Sequence, residues 1–350
     1  MARGWRVAAA AFTTPLLALI LLSAVVALAE IAARSGYFQT YLPAPSVGSP
    51  SRMLDLQLAK VEALVRTEGG IDCLFLGNSL ALYGLDPDAF AGAFEAQAGQ
   101  RPRCFNFAVP GIAASGMVAI AGILARDHRP GLMIYGVTPR DFNDAADAPA
   151  VETIPWVRYR SGVVTLDGWL AEHSYAYRYY LTVAGGHLHD PSSLRKFAAG
   201  APRGFYANTT AAVFDQAAFE RARRLVSGQM EHAASDVQLQ ALDGLLELRG
   251  TDVQVLLVEL PLHLPVAEWS PAAAATYRRV MDRVQRRALA AAVPLWTPPP
   301  DLVPADGWID LWHLNARGAA IFSRWLGERA ARAVATGELH APRADTASAG

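Results

Sequence analysis

The chain has 350 residues, is 52% hydrophobic and only 18% charged, and carries a formal net charge of −1 at pH 7. That balance excludes intrinsic disorder, which needs low hydrophobicity and high net charge, and argues against a nucleic-acid partner, which calls for a basic excess. Two cysteines can build neither a disulfide-rich scaffold nor a four-cysteine zinc site.

Much of the apolar content lies at the start. Residues Val7 to Ala29 carry no charge; Arg3 and Arg6 precede them, and Glu30 and Arg34 follow. The run is long enough to cross a bilayer as a helix. Arginines before it predict a cytoplasmic N-terminus, with everything beyond the run periplasmic or extracellular. The alternative is a cleaved signal peptide, for which Ala27-Leu28-Ala29 resembles a cleavage site; the run, however, exceeds the roughly 7–15 apolar residues of a signal peptide. No second run of that length follows, so the membrane is reached through residues 7–29 in a single pass at most.

Residues 35–51, with Pro43, Pro45 and Pro50, suit a linker leaving the membrane. Apolar residues at Met53, Leu54, Leu56, Leu58, Val61, Leu64 and Val65 predict a helix over 52–67, ended by Gly69-Gly70. Short apolar runs then recur at 71–77, 103–109, 131–137, 253–260 and 293–296 and predict buried strands. Helical patterns fall between and after them, at 86–97, 112–126, 234–249, 271–292 and 316–326. Continuous apolar strands alternating with helices predict an α/β chain, a three-layer sandwich around a parallel sheet. Residues 145–230 interrupt the alternation with many aromatics and no strand pattern, which suits a helical insertion or lid. The expected plan is an anchor at 1–34, a linker and helix at 35–70, one domain at 71–335, and a flexible tail at 336–350.

Ligands and catalytic groups of open α/β sheets gather at the carboxyl ends of the strands. The first strand ends in Gly77-Asn78-Ser79, the second in Val109-Pro110-Gly111, and the third in Gly136-Val137-Thr138-Pro139-Arg140-Asp141. Asp310-Leu311-Trp312-His313 stands near the C-terminus. A serine hydroxyl needs an adjacent base, and the base needs an orienting acid. His313 and Asp310, three residues apart, can supply both from one face. Taken singly, Ser79 or Asp310 could equally be a helix cap, and His313 a packed histidine. The three together, in that order along an α/β chain, are much harder to obtain by chance than any one alone.

These residues resemble the SGNH (GDSL-like) esterases and acyltransferases over about residues 71–330. Gly77-Asn78-Ser79 resembles the family's nucleophile block, with Asn78 in place of its Asp. Gly111, in Asn106-Phe107-Ala108-Val109-Pro110-Gly111, resembles the glycine whose N–H faces the oxyanion. Asp310-Leu311-Trp312-His313 matches the Asp-x-x-His block. Thr138 stands where the family has an oxyanion-hole Asn. The resemblance implies an SGNH-hydrolase-like fold, a catalytic set of Ser79, His313 and Asp310, and an oxyanion hole built by Ser79, Gly111 and Thr138. Losing one oxyanion donor costs about 10²–10³ in rate, and Asn143 is a further candidate beside Thr138.

Pro139-Arg140-Asp141, with the N-terminal anchor, is closer to a membrane-anchored branch that includes proteins of alginate O-acetylation and teichoic-acid D-alanylation. That likeness implies an acyl ester or glycan substrate, a membrane-bound acyl-donor protein as a partner, and no metal or organic cofactor. Asn106, Arg140, Asn143 and His263 are candidate substrate contacts. A different class, a non-catalytic envelope assembly or glycan-binding protein on a degenerate scaffold of this kind, is favoured by Thr138 and opposed by the intact Ser79, Asp310 and His313.

Three features carry weaker signals. Export would permit a disulfide between Cys73 and Cys104, although two buried free thiols suit their apolar strands better. The aromatics of Tyr175–Tyr180 suit a packed core better than sugar stacking. His187 and His189 lack a third ligand, so no metal site is assigned.

Overall fold

The computed structural model describes residues 2–35, 42–143, 150–187, 192–211, 234–250, 252–263 and 270–342, with isolated positions between 212 and 233. The expectations about His189 and about the tail beyond residue 342 lie outside the described residues.

The chain opens with α1 (Ala2–Arg34). Its segment Thr14–Arg34 has a mean hydropathy of 2.6 and is long and apolar enough to cross a membrane. Helix α2 (Arg52–Glu68) follows and ends at Gly69 in the left-handed conformation. Then come β1 (Cys73–Leu76), α3 (Ser79–Gly84), α4 (Pro87–Ala98), β2 (Cys104–Asn106), α5 (Ala114–His128) and β3 (Leu132–Val137). The insertion supplies α6 (Pro155–Arg160), α7 (Leu166–His173), α8 (Tyr175–Ala184) and α9 (Ser192–Gly200). The α/β pattern resumes with α10 (Asp236–Leu246), β4 (Gln254–Glu259), α11 (Pro271–Ala290), β5 (Leu295–Trp296) and α12 (Ala316–Ala335).

All five strands are parallel, in the order β2-β1-β3-β4-β5. Alternate residues feed two cores, as the pleat requires. Leu74, Leu76, Met133, Tyr135, Val255 and Leu257 pack with α2, α5, α10 and α11. Cys73, Phe75, Leu132, Ile134, Leu256 and Val258 pack with α4 and α12 on the other face. The result is the three-layer α/β sandwich that the apolar runs predict. The strands are shorter than those runs because the run ends turn into the loops that build the site.

Cys73 and Cys104 face each other in the β1–β2 register, and both are free and buried. Burial first, and then the Cys104 thiol beside it, push Cys73 well above its ordinary value, so it stays a protonated, unreactive thiol.

The insertion returns to cover the β2 edge. Asn106 N–H donates to Arg203 O at 2.9 Å, and an Arg203 guanidinium nitrogen donates to Cys104 O at 3.1 Å. Gly204 makes this close approach possible: at φ +75°, an added Cβ would lie 2.1 Å from Asn106 O and 2.7 Å from Gln57 Oε1. Gly204→Ala is therefore expected to lower stability by about 3–5 kcal/mol, since both left-handed strain and a backbone collision must be relieved. Chemical denaturation of the detergent-solubilised chain measures this, and an unchanged midpoint would refute it.

Candidate active site

Strands β1 and β3 are the neighbours at which the chain order reverses, the crevice where open α/β sheets place their sites. The turn after β1 is tight. Gly77 has φ +145°, and a Cβ there would lie 2.7 Å from Ala81 Cβ and 3.1 Å from Gly136 O. Asn78 then caps α3, its Oδ1 accepting from Leu80 N–H at 2.8 Å. The capping duty that sequence reasoning weighed for Ser79 thus falls to Asn78. Ser79 becomes the first residue of the helix, with its side chain free for chemistry.

His313 lies across from it. Its Nε2 is 3.0 Å from Ser79 Oγ, and its Nδ1 is 2.8 Å from Asp310 Oδ2. Asp310 Oδ1 accepts from the N–H groups of Trp312 at 2.9 Å and His313 at 2.7 Å. Burial pushes the Asp310 carboxyl up, but the bonds and charge of His313 and the two loop amides outweigh it and hold it below the ordinary value. Asp310 is therefore ionised and accepts only, which puts the neutral imidazole proton on Nδ1 and leaves Nε2 to accept from Ser79.

The loop carrying Asp310 and His313 is pinned at both ends. Ile309 N–H donates to His313 O at 2.8 Å, and Asn315 N–H to Gly307 O at 3.0 Å. Asn315 also caps α12 through Arg317 and Gly318 N–H and donates to Asp306 O at 2.7 Å. A loop held this way keeps the imidazole in one orientation, which general-base catalysis needs.

Beneath Ser79 lies a buried polar network. Asn78 Nδ2 donates to Asp141 Oδ1 at 2.6 Å and to Thr138 Oγ1 at 3.1 Å, while Thr138 N–H donates to Asp141 Oδ2 at 3.1 Å. The Tyr135 hydroxyl donates to Asp141 as well. This ties the strand end bearing Ser79 to the end of β3. Burial raises the Asp141 carboxyl from 3.8 to about 7, against the opposing pull of Thr138 N–H, Asn78, Tyr135 and Arg140. The folded chain therefore keeps that proton to about pH 7, whereas the unfolded chain releases it near 3.8. Between those values the folded state binds more protons, so stability falls as pH rises from about 4 to about 7. Asp141→Asn should reduce that fall in thermal melts taken across the range. Part of it remains, because burial also raises Asp55 from 3.8 to about 6.

Two backbone N–H groups are available for an oxyanion. Ser79, at the first position of α3, has no partner inside the helix. Gly111 N–H makes no hydrogen bond among the described residues, and at φ +75° nothing lies within 4 Å of where a Cβ would stand. Thr138 departs from the oxyanion expectation. It is 2% exposed and its hydroxyl accepts from Asn78, which places it in the buried network beneath Ser79.

The candidate substrate contacts divide. Asn106 is wholly buried: Nδ2 donates to Ala81 O at 2.8 Å and Leu85 O at 2.7 Å, and Oδ1 accepts from Ala108 N–H at 3.0 Å. With all its groups bonded to backbone it brackets α3 to β2, which corrects the expectation of a substrate contact. Asn143 is buried too and forms a backbone bridge to Ala234. His263 braces the loop that carries Asp310 and His313, its N–H donating to Leu311 O at 3.0 Å and its ring standing edge-on to Trp308 at 5.4 Å. Arg140 remains half-buried beside Asp141.

A chain of aromatic rings leads from His313 back into the insertion. The Tyr83 ring lies 5.1 Å from His313 and 5.1 Å from Tyr206, and Tyr206 stacks on Phe197 at 5.7 Å. Tyr206 and Phe197 belong to the insertion, so this segment meets the site through Tyr83 although it lies far from Ser79 and His313 in the chain. No sequence signal marks that approach. Asn78 and Asp141 did leave signals: an Asn before a helix is a preferred cap, and Thr138-x-x-Asp141 has capping-box spacing. Among the described residues no cluster of His, Cys, Asp and Glu is arranged to hold a metal.

No protein-family model and no curated protein matches this sequence. Solved structures do. A lipase/acylhydrolase from Enterococcus faecalis is 12% identical, with 77% of this chain and 98% of that chain covered and a TM-score of 0.35. A carbohydrate acetylesterase from Sinorhizobium meliloti is 13% identical, covering 74% and 98% at a TM-score of 0.33. An aryl esterase from M. smegmatis is 12% identical, covering 74% and 97% at a TM-score of 0.32. All three TM-scores lie below 0.5, and the chemistry is read from the distances within this chain.

Proposed function

We propose that the chain is an exported, membrane-anchored serine esterase or O-acyltransferase of the SGNH type, acting on a cell-envelope glycan or a related ester. The observation that carries this is the unbroken relay from Ser79 Oγ through His313 to Asp310, at 3.0 and 2.8 Å. Ser79 Oγ attacks the ester carbonyl as His313 Nε2 takes its proton, and Asp310 stabilises the imidazolium that forms. The N–H groups of Ser79 and Gly111 hold the oxyanion. Collapse breaks the carbonyl–oxygen bond, and His313 returns the proton to the leaving alkoxide. Water or a sugar hydroxyl, activated by the same imidazole, then takes the acyl group from Ser79.

The anchor reading is supported by the run of α1 past Ala29 to Arg34, where Arg34 donates to His173 O at 2.9 Å. A chain held at the membrane suits transfer from a membrane-bound acyl donor. The second reading, a non-catalytic glycan-binding or assembly protein, is favoured by one observation: Thr138 is turned inward, so the site has no side-chain oxyanion donor at that position.

Treatment of the full-length protein in detergent with a fluorophosphonate, followed by intact-mass measurement, separates the two. One adduct is expected on the wild type and none on Ser79→Ala. No adduct on the wild type, or an equal one on the variant, would sink the catalytic reading.

A further inference from the structure

The insertion exposes apolar side chains that the catalytic chemistry does not use. Val163 and Val164 precede α7, Leu166 and Trp169 lie three apart on α7, and Tyr180 and Val183 lie three apart on α8, so each helical pair shares a face. Val164 is 79% and Leu166 73% exposed. Exposed apolar side chains on a turn and the two consecutive helices that follow it are the kind of feature that marks an interaction surface.

What covers that surface is indicated by the end of α1. The Glu30 carboxylate accepts from Tyr175 N–H at 2.9 Å, from Ala176 N–H at 3.1 Å and from the Ser174 hydroxyl at 2.9 Å. It thereby satisfies the first amides of α8, where a negative charge is favoured. Arg34 pairs with Glu30 at 2.6 Å, donates to the His173 carbonyl at the end of α7, and lies 4.7 Å over the Tyr175 ring. The last turn of a membrane-length helix is thus clamped to the junction of the two helices that carry the exposed apolar side chains. The uncharged run stops at Ala29, one residue before the clamp, so the clamp sits at the level where hydrocarbon gives way to headgroups. Trp and Tyr are the side chains that favour that level.

We propose that the Val163–Leu166 turn, α7 and α8 form an interfacial shelf that rests on the outer face of the bilayer crossed by α1, with Val164, Leu166, Trp169, Tyr180 and Val183 in the headgroup–acyl boundary. The proposal rests on the reading of α1 as an uncleaved anchor. Because Tyr206 of the same insertion packs on Tyr83, whose ring lies against His313, the shelf sets the orientation of the site to the membrane. A tether alone would let the domain tumble.

The test uses the full-length chain in phospholipid nanodiscs holding one copy each, so that a second copy cannot cover the face. An environment-sensitive fluorophore is placed at Val164→Cys, Trp169→Cys or Val25→Cys, and quenching by nitroxide lipids is compared with quenching by an aqueous nitroxide. The wild type, whose cysteines are both buried, gives the labelling background. The labels at 164 and 169 are expected within about 5–10 Å of the headgroup–acyl boundary, as for an interfacial helix, with loss of aqueous quenching, and the label at 25 is expected deeper. Deep quenching at 25 with only aqueous quenching at 164 and 169 overturns the shelf and leaves the anchor standing. Absence of lipid quenching at 25 overturns the anchor, and the shelf with it. Protection at 164 and 169 that appears only when two copies share a disc assigns the face to a second copy and also overturns the proposal.

Discussion

Ser79→Ala in the full-length protein is expected to lower the rate of aryl-ester cleavage by about 10⁴–10⁶-fold, the range seen when a triad nucleophile is removed. The hydroxyl it deletes lies 3.0 Å from His313 Nε2. Without it no acyl-enzyme forms, and the oxyanion donors are left to assist water alone. His313→Ala should cost about as much, because neither residue acts without the other, and the double variant should be no slower than either single one. Stopped assays with a p-nitrophenyl ester measure all three. A variant retaining a tenth of the wild-type rate would refute the assignment. The fold should survive, since Ser79 Oγ makes no bond that holds α3; the cap is Asn78.

Asp310→Asn should reduce turnover by about 10⁴-fold, the cost of holding the base in the wrong tautomer. The reason is specific to this loop. Oδ1 accepts from two backbone N–H groups, at 2.9 and 2.7 Å, and only Oδ2 faces the imidazole. In the amide, the two N–H donors will keep the remaining oxygen on their side. The new NH₂ must then point at His313 Nδ1, which can meet it only by giving up its proton. The proton moves to Nε2, and Nε2 can no longer accept from Ser79. The prediction is a large loss in turnover in a chain that still folds, with a lower melting temperature from the lost carboxylate charge, and a fluorophosphonate adduct that forms far more slowly than in the wild type. Equal turnover in Asp310→Asn and wild type would show that Asp310 does not set the tautomer.

Both expectations concern residues that local sequence pattern made visible. Gly77-Asn78-Ser79 closes an apolar strand, and Asp310 and His313 share one short loop, so their chemistry could be weighed before any distance was known. The reach of Nε2 to Ser79, across 234 positions of chain, was not legible in that way. Nor was the fate of Asn106 and Thr138. Each is polar and near a strand end, which is where substrate contacts occur, yet each is buried and bonded to its neighbours. A polar residue next to a cleft and one beneath it have the same local pattern; only packing separates them.

Composition and periodicity by themselves determined the class of this protein: a membrane-length apolar helix, five parallel strands in apolar runs, and helices between them. These properties follow from hydrophobic spacing, which is set residue by residue along the chain. The tertiary structure decided what depends on distant segments meeting. It linked the inserted residue Tyr206 to His313 through the Tyr83 ring, gave the buried Asp141 two strand ends to join, and fixed the last turn of α1 to α7 and α8 through Glu30 and Arg34. The near-neutral, apolar composition argued against a nucleic-acid partner at the outset; where the apolar side chains of the insertion face was a matter for the fold, because burial is a property of the packed chain and not of the residue.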